Sequence, residues 1–204
     1  MLQALEISCV RGNRELFSKL SFSVERGCAL RVQGENGTGK TSLLRILAGL
    51  SPAASGGVRW QETPIAGRDE SFRRELLFLG HANALKDDLT PVENLRHGLA
   101  AAGIAADTAE VHAALAQDGL GAETDYPVQW LSQGQKRRVA LVRLAFGGAR
   151  PLWILDEPFS ALDAAAVGRL AARLTRHVAG GGVLVFTTHQ EVPLDVPTRN
   201  LVLQ

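Results

Sequence analysis

The segment from Gly34 to Thr41 constrains this chain more strongly than any other. Its eight residues match the P-loop pattern in full: Gly34, Glu35, Asn36, Gly37, Thr38, Gly39, Lys40 and Thr41. Glycines let a backbone curl so that successive N–H groups point inward at phosphate oxygens. A short apolar strand, Cys28 to Val32, precedes the segment, and a helical pattern, Ser42 to Leu50, follows it. A chance glycine-rich turn does not account for that context, so we expect a phosphate-binding loop at a helix N-terminus.

The residues at the end of this segment supply charge and a metal ligand. Lys40 can neutralise the β- and γ-phosphates of a nucleotide, and the Thr41 hydroxyl is suited to ligate Mg²⁺. The sequence therefore predicts ATP and Mg²⁺ as ligands. All eight residues of the loop, together with Ser42, are candidate nucleotide contacts.

The remaining periodicity predicts an α/β fold with a mainly parallel sheet and an N-terminal antiparallel β part. Leu2 to Val24 alternates loosely and turns at Gly12-Asn13, which indicates a β-hairpin, and a second small hairpin is expected around Val58 to Ile65. Uniformly apolar runs indicate strands that are covered on both faces. These runs are Leu76 to Leu79, Leu152 to Leu155 and Val183 to Phe186, with a helix expected from Ala164 to Val178.

Alanine and leucine dominate from Pro91 to Phe146, where strand signals vanish. This change predicts a helical subdomain set into the α/β core. We expect one domain over residues 1–204, with a catalytic core and β subdomain at 1–85 and 147–204. Residues 86–146 form the expected helical subdomain, which contains the Leu131–Gln135 segment.

Bulk properties exclude several classes of protein. The 22 basic and 21 acidic residues give a net charge of only +1, which argues against nucleic-acid binding. Cys9 and Cys28 have no metal-ligand spacing and are expected to be reduced thiols. No apolar run approaches the roughly 20 residues that cross a bilayer, and Met1 to Ser8 has no secretory pattern. Any membrane role is expected to come through a partner.

An apolar strand ends in two carboxylates, Asp156 and Glu157. Side chains alternate in direction along a strand, so the two acids have different surroundings. We expect Asp156 to hold Mg²⁺, usually through water, and Glu157 to act as general base on the attacking water. A solvated acidic turn is the alternative, and the accompanying P-loop argues against it.

The segment Leu131-Ser132-Gln133-Gly134-Gln135 precedes a stretch with helical periodicity. Ser132 and the Gly134 amide are therefore expected at a helix N-terminus, which favours anions. By itself, Ser132 would be interpreted as a plain helix cap.

Together these motifs resemble those of ABC (ATP-binding-cassette) ATPases. The order is P-loop, signature at Leu131–Gln135, Asp156-Glu157, a D-loop at Ser160–Asp163 and a switch histidine, His189, although Gln133 stands where many members have glycine. The resemblance implies that two copies stack head to tail with ATP between them. Ser132, Gly134 and Gln135 then serve the nucleotide of the second copy, and His189 joins Glu157 in catalysis.

Two positions depart from the family pattern. His81 stands where a glutamine normally senses Mg²⁺ and the γ-phosphate, and it either takes over that role or merely caps a loop. The segment Cys9–Gly12 lacks the aromatic residue that normally stacks on adenine. Arg11 either stacks its guanidinium on the base or is solvated.

A finer resemblance links the chain to the ATP-binding subunits of bacterial haem exporters used in cytochrome c maturation. It rests on Leu79-Gly80-His81, Lys86, Leu89-Thr90, Glu93-Asn94-Leu95 and Thr188-His189-Gln190-Glu191. It implies integral-membrane partners, a peripheral position on the cytoplasmic side of the inner membrane, and no haem bound directly by this chain. Docking to the partners is expected near Leu85 to Leu95. The open alternatives are an ATPase for another exporter and a soluble ABC ATPase without a transporter.

Overall fold

The computed structural model describes residues 1–65 and 70–204. The strands are β1 (Leu2–Arg11), β2 (Arg14–Val24), β3 (Cys28–Gln33), β4 (Ser55–Trp60), β5 (Thr63–Pro64), β6 (Leu76–Leu79), β7 (Leu152–Leu155), β8 (Val183–Thr187) and β9 (Thr198–Val202). The helices are α1 (Lys40–Leu47), α2 (Glu70–Glu75), α3 (Pro91–Ala101), α4 (Thr108–Gln117), α5 (Gln133–Val142) and α6 (Ala164–Ala179), with short 3-10 turns at Val128–Trp130 and Arg143–Phe146.

The N-terminal strands form a four-stranded antiparallel sheet in the order β2-β1-β4-β5. β1 and β2 are the expected hairpin, and Gly12 takes a positive φ in its turn. The second hairpin, β4 and β5, joins the same sheet because β4 also pairs with β1.

The central sheet has five strands in the order β6-β7-β8-β3-β9, and each pairing is parallel. All residues of β7 and β8 are buried, in agreement with their uniformly apolar sequences. The expected α/β fold with a parallel core and an antiparallel N-terminal part is confirmed. The edge strand β9 was not predicted, because its residues are mostly exposed and polar and show no clear alternation.

The chain divides into two compact units. The first contains both sheets and consists of 1–81, 150–158 and 174–204. Its core includes the buried face of α1 and side chains of both sheets, among them Leu2, Leu43, Leu44, Val32, Ile154 and Val185. Trp153 stacks on His177 with ring centroids 3.9 Å apart, and burial lowers the pKa of His177.

The second unit consists of 82–149 and 159–173. Its core joins α3, α4 and α5 through Leu95, Leu99, Val111, Leu115 and Val139. Capping boxes begin α3 at Thr90 and α4 at Asp107, which explains why both helices start where they do. Between 91 and 146 the structure contains helices and turns, as predicted. The division into a core of 1–85 and 147–204 and a subdomain of 86–146 stays a prediction.

Within 1–65 and 70–204, no helix combines the length and the apolar character needed to span a membrane.

Candidate functional site

The carboxyl ends of four neighbouring strands bring most of the predicted residues of the first unit to one edge of the parallel sheet. Leu79 of β6 pairs with Leu155 of β7, and Leu155 pairs with Phe186 of β8. Val32 of β3 pairs with Thr187 of β8. The P-loop, Asp156-Glu157, Thr188-His189 and His81 each follow the end of one of these strands. Ligands of parallel α/β sheets bind at this edge.

The backbone of the P-loop needs its glycines. Gly34 and Gly39 have φ values of +145° and +98°, which side-chain-bearing residues rarely adopt. A Cβ on Gly34 would lie 2.6 Å from the carbonyl oxygen of Leu203, just beyond β9. A Cβ on Gly39 would lie 3.0 Å from Cβ of Leu16 and 3.3 Å from Cδ1 of Phe17. Sequence reasoning missed these three neighbours because each is distant along the chain.

The first turn of α1 is suited to an anion. The helix begins at Lys40, two residues earlier than predicted, because Gly39 serves as its N-cap. Gly39 provides no side-chain hydrogen bond, and the first turn contains no acidic residue. Its N–H groups and the positive helix end are therefore available to phosphate oxygens. Nζ of Lys40 donates hydrogen bonds to the carbonyl oxygens of Gly34 (2.7 Å) and Glu35 (2.9 Å), so its charge lies at the loop.

Hydroxyl groups from two elements flank Asp156, which is 2% exposed. Thr41 donates a hydrogen bond to Oδ2 of Asp156 (2.7 Å), and Thr187 donates one to Oδ1 (2.8 Å). The Thr187 hydroxyl also accepts a hydrogen bond from the backbone N–H of Glu157 (2.7 Å). Thr187 was not predicted as a site residue. The sequence feature that could have indicated Thr187 is its hydroxyl at the end of an otherwise apolar strand, β8.

The adjacent hydroxyl and carboxylate of Thr41 and Asp156 are oxygen donors of the kind that Mg²⁺ prefers. Among the residues that the structure describes, no three His, Cys, Asp or Glu side chains cluster to hold a metal ion. Mg²⁺ commonly takes one or two protein ligands and completes its shell with water and phosphate oxygens. Thr41 and Asp156 fit such a site, and a contribution of His81 to it stays a prediction.

Glu157 and His189 lie next to one another. Nε2 of His189 is 3.5 Å from Oε1 of Glu157, and the histidine side chain is half-exposed whereas the carboxylate is mostly buried. Glu157 has a φ of 47°, which is uncommon for a residue with a side chain. Strained backbone of this kind concentrates at functional sites, where surrounding contacts hold it.

The two positions that depart from the family pattern are both exposed. His81 follows β6 by two residues, beside the β7 end, where the N–H of Asp156 bonds to the carbonyl of Leu79 (2.8 Å). Arg11 ends β1 and faces Arg14 across the hairpin.

In the second unit, Ser132 and Gln135 form a complete capping box at the start of α5. The N–H of Gln135 bonds to Oγ of Ser132 (3.2 Å), and the N–H of Ser132 bonds to Oε1 of Gln135 (2.8 Å). Nε2 of Gln135 also donates to Glu123 (2.9 Å). The expected helix start is confirmed. The capping box by itself explains why Ser132 and Gln135 occupy these positions, in addition to their predicted role in nucleotide binding.

Gly134 packs directly on the backbone of the D-loop segment. A Cβ at this position would lie 2.7 Å from the carbonyl oxygen of Ala161. Asp163 then caps α6 by accepting a hydrogen bond from the N–H of Ala166 (2.7 Å). The close approach explains why glycine occupies position 134.

Three arginines fix the turn after α4 to α5 and α6. Arg173 bonds to both carboxylate oxygens of Asp118, at 3.0 and 3.3 Å. Arg169 and Arg138 donate to the backbone carbonyl of the same residue, each at 3.3 Å, and Arg138 also reaches the carbonyl of Gly119. Asp118 is buried, so this network holds the signature helix within its unit.

Comparisons with known proteins identify the family of this chain. The family model described as "ABC transporter" matches residues 17–160, which is more than half of the chain. The chain belongs to the ABC transporter family. It is therefore an ABC-type ATPase that binds nucleotide, as the motif order predicted.

Relatives of this ABC ATPase match along nearly its whole length. It is 55% identical to the cytochrome c biogenesis ATP-binding export protein CcmA of Aromatoleum aromaticum, covering 100% of this chain and 95% of the relative. The protein of the same name from Dechloromonas aromatica is 51% identical, with 97% of each chain covered.

A solved structure of an ATP-binding cassette shows the same fold. It is a dimer in a post-hydrolysis state bound to ADP and Pi, with a TM-score of 0.80 and 21% identity. The similarity covers 93% of this ABC ATPase and 88% of the other chain.

Proposed function

We propose that this ABC ATPase is the ATP-hydrolysing subunit of a haem exporter that acts in c-type cytochrome biogenesis. The 55% identity to a CcmA protein over the whole chain is the observation that carries this assignment. Its ligands are ATP and Mg²⁺. The start of α1, which has no side-chain cap hydrogen bond, and the position of Lys40 support phosphate binding.

The first unit holds the nucleotide phosphates. The P-loop N–H groups and Lys40 bind phosphate oxygens, and Ser42 lies in the same first helical turn. Thr41 and Asp156 would hold Mg²⁺, and the bound ion would neutralise charge on the transferred phosphoryl group. The two hydrogen bonds to Asp156 fix its carboxylate in place.

Glu157 accepts the proton of the attacking water as general base. His189 is within 3.5 Å and orients the carboxylate or the water. Thr187 fixes the backbone of Glu157 and the side chain of Asp156 together, so the base and the metal ligand keep their spacing. His81 takes the place of the family's glutamine and forms a hydrogen bond beside the γ-phosphate. Arg11 stacks its guanidinium on the adenine.

The signature residues Ser132, Gly134 and Gln135 act on the nucleotide of a second copy. The positive end of their helix faces the phosphate groups of the nucleotide that the P-loop of the other copy holds. Each ATP joins two chains because it binds only the closed pair well, and hydrolysis at Glu157 releases them.

Integral-membrane subunits are the further partners of the proposed complex. This chain lies peripherally on the cytoplasmic side of the bacterial inner membrane and docks through residues near 85–95. It binds neither haem nor nucleic acid directly. The core and helical subdomain predicted from the sequence supply the nucleotide and docking surfaces respectively.

Complementation tests the proposal. The gene is expressed in an Aromatoleum aromaticum strain that lacks its own CcmA, and covalent haem in c-type cytochromes is measured by haem staining. We expect wild-type protein to restore the cytochromes and to co-purify with membrane subunits.

Lys40→Ala is the matched control, since it removes the phosphate-binding charge from the same fold. It should fail to restore cytochromes although the protein accumulates. An expressed wild-type chain that hydrolyses ATP but restores nothing would refute the haem-export assignment while leaving the ATPase intact.

A further inference from the structure

An aromatic pair projects from the surface immediately before the signature helix. Trp130 is 70% exposed and Tyr126 is 53% exposed, and their ring centroids lie 6.1 Å apart. Trp60 and Trp153, by contrast, are buried. A large exposed aromatic surface costs hydration free energy, so its presence calls for an occupant.

The backbone beneath the pair is firmly anchored. The N–H of Val128 donates a hydrogen bond to the carbonyl oxygen of Leu89 (2.9 Å), and the N–H of Gln129 donates one to that of Asp87 (3.0 Å). Val128 is fully buried in the core of the second unit. The exposed rings therefore sit on a preorganised turn and lose little conformational entropy when another surface covers them.

The side chain of Asn94 orders the loop to which this turn is attached. Its Oδ1 accepts the N–H of Lys86 (2.7 Å), and its Nδ2 donates to the carbonyl oxygens of Lys86, Leu89 and Thr90 at 2.9 to 3.1 Å. An anchored tryptophan beside a tyrosine has the composition of an interface hot spot.

Continuity along the chain identifies the occupant. Trp130 stands two residues before Ser132, which the proposed function assigns to the nucleotide of a second copy. On that second copy, Leu16 contacts the P-loop glycine Gly39, and Arg14 lies two residues before Leu16 in the exposed hairpin turn. Arg14 is exposed at this turn, directly opposite Arg11, and is the cation left available because the proposed function assigns Arg11 to the adenine. Cations of this kind pack favourably over the face of tryptophan or tyrosine.

We propose that the Tyr126–Trp130 pair is covered by the β1–β2 turn of a second copy when two chains close on ATP. The inference rests on the proposed function, because it requires the signature helix of one copy to face the P-loop of the other. It adds a direct contact between the two chains to an interface that ATP bridges.

Tryptophan fluorescence tests the contact directly. Glu157→Gln protein, which should retain ATP, is compared with Glu157→Gln/Trp130→Phe, so that the difference spectrum reports Trp130 alone. We expect a blue shift of the Trp130 emission on addition of ATP and Mg²⁺, in step with dimer formation measured by light scattering.

A double-mutant cycle locates the covering surface. In the Glu157→Gln background, we expect Trp130→Ala and Arg14→Ala each to weaken ATP-dependent dimerisation by about tenfold, within the range of a desolvated cation–aromatic contact. The double variant should weaken it by much less than the product of the two effects.

The outcomes separate this inference from the proposed function. The inference is overturned if dimers form without a shift of the Trp130 emission. It is also overturned if the fold-changes in dimerisation caused by Trp130→Ala and Arg14→Ala simply multiply. Either result leaves the ATPase assignment standing. A shift that requires added membrane subunits also overturns it. Failure of the chain to bind ATP or dimerise refutes the head-to-tail proposal and the inference together.

Discussion

The hydroxyl of Thr187 donates a hydrogen bond of 2.8 Å to Oδ1 of Asp156. The same hydroxyl accepts the N–H of Glu157, so one buried side chain links the proposed metal ligand to the proposed base. Thr187 is fully buried, and water cannot replace either bond without a rearrangement.

Thr187→Val keeps the shape of the side chain and removes both hydrogen bonds. We expect kcat for ATP hydrolysis to fall by roughly 10- to 100-fold, because misplaced catalytic groups are costly. The dissociation constant for ATP, measured by titration calorimetry, should change little. Thr187→Ser retains the hydroxyl and should keep most of the activity; equal kcat in all three proteins would contradict a positioning role.

Glu157→Gln removes the proposed base and preserves the size of the side chain. Hydrolysis should slow by about 10²- to 10⁴-fold, the usual contribution of general base catalysis. Because ATP is then retained, a nucleotide-bound dimer should accumulate in size-exclusion chromatography. Turnover at the wild-type rate would remove Glu157 from this role. Glu6→Gln, at an exposed position of β1, is the control for a change of net charge.

His81 is tested with two replacements. Glutamine can donate and accept hydrogen bonds, so His81→Gln should keep ATPase activity, whereas His81→Ala should lower it severalfold. Steady-state kinetics at saturating Mg²⁺ measures the difference. Should the three proteins have equal activity, His81 would be a structural loop residue.

Gly134→Ala should destabilise the protein and impair hydrolysis, because the added methyl group would meet the Ala161 carbonyl at 2.7 Å. Overpacking of this kind typically costs about 1–3 kcal/mol. Gly168→Ala is the matched control, since Gly168 lies on α6 and a Cβ there would meet no atom within 4 Å beyond the neighbouring backbone of its own helix. It should raise the free energy of unfolding by about 0.5–1 kcal/mol in urea denaturation. A stable, active Gly134→Ala protein would argue against the close packing.

Stability should fall in mild acid because of His177. Burial lowers the pKa of His177, although hydrogen bonds from its ring to the carbonyls of Val183 and Pro151 oppose that effect. The unfolded chain therefore binds a proton more tightly than the folded one. The contribution of neutral His177 to the free energy of unfolding is fully present above the unfolded pKa of about 6.5. It is lost as pH falls through and below that value.

Melting temperatures between pH 5 and 8 measure this effect. The decline below pH 6.5 should be smaller in His177→Gln than in wild type, since both proteins share the other four histidines. If the melting temperatures of the two proteins fall in parallel with pH, a residue other than His177 takes up the proton.

The sequence predicted those parts of the fold that local patterns encode. The hairpin turn at Gly12, the buried strands β7 and β8 and the capped start of α5 all follow from neighbouring residues. Strand order and the edge strand β9 depend on pairing between distant segments, and the exposed residues of β9 leave no periodic signal.

The candidate site divides in the same way. The P-loop and the two acids are contiguous motifs, so the sequence shows them directly. Thr187 becomes meaningful only when β8 lies beside β7 and brings its hydroxyl to Asp156. The contact between Gly134 and Ala161 likewise requires two segments to meet in space.

The packing of Leu203 on Gly34 has a consequence for biosynthesis. β3, which leads into the P-loop, hydrogen-bonds to β9 from a distant part of the chain, and non-local pairings of this type form slowly. A polypeptide interrupted before Leu203 carries an intact P-loop sequence without the backbone that supports it. We therefore expect fragments that stop before β9 to bind ATP weakly, although their P-loop sequence is complete.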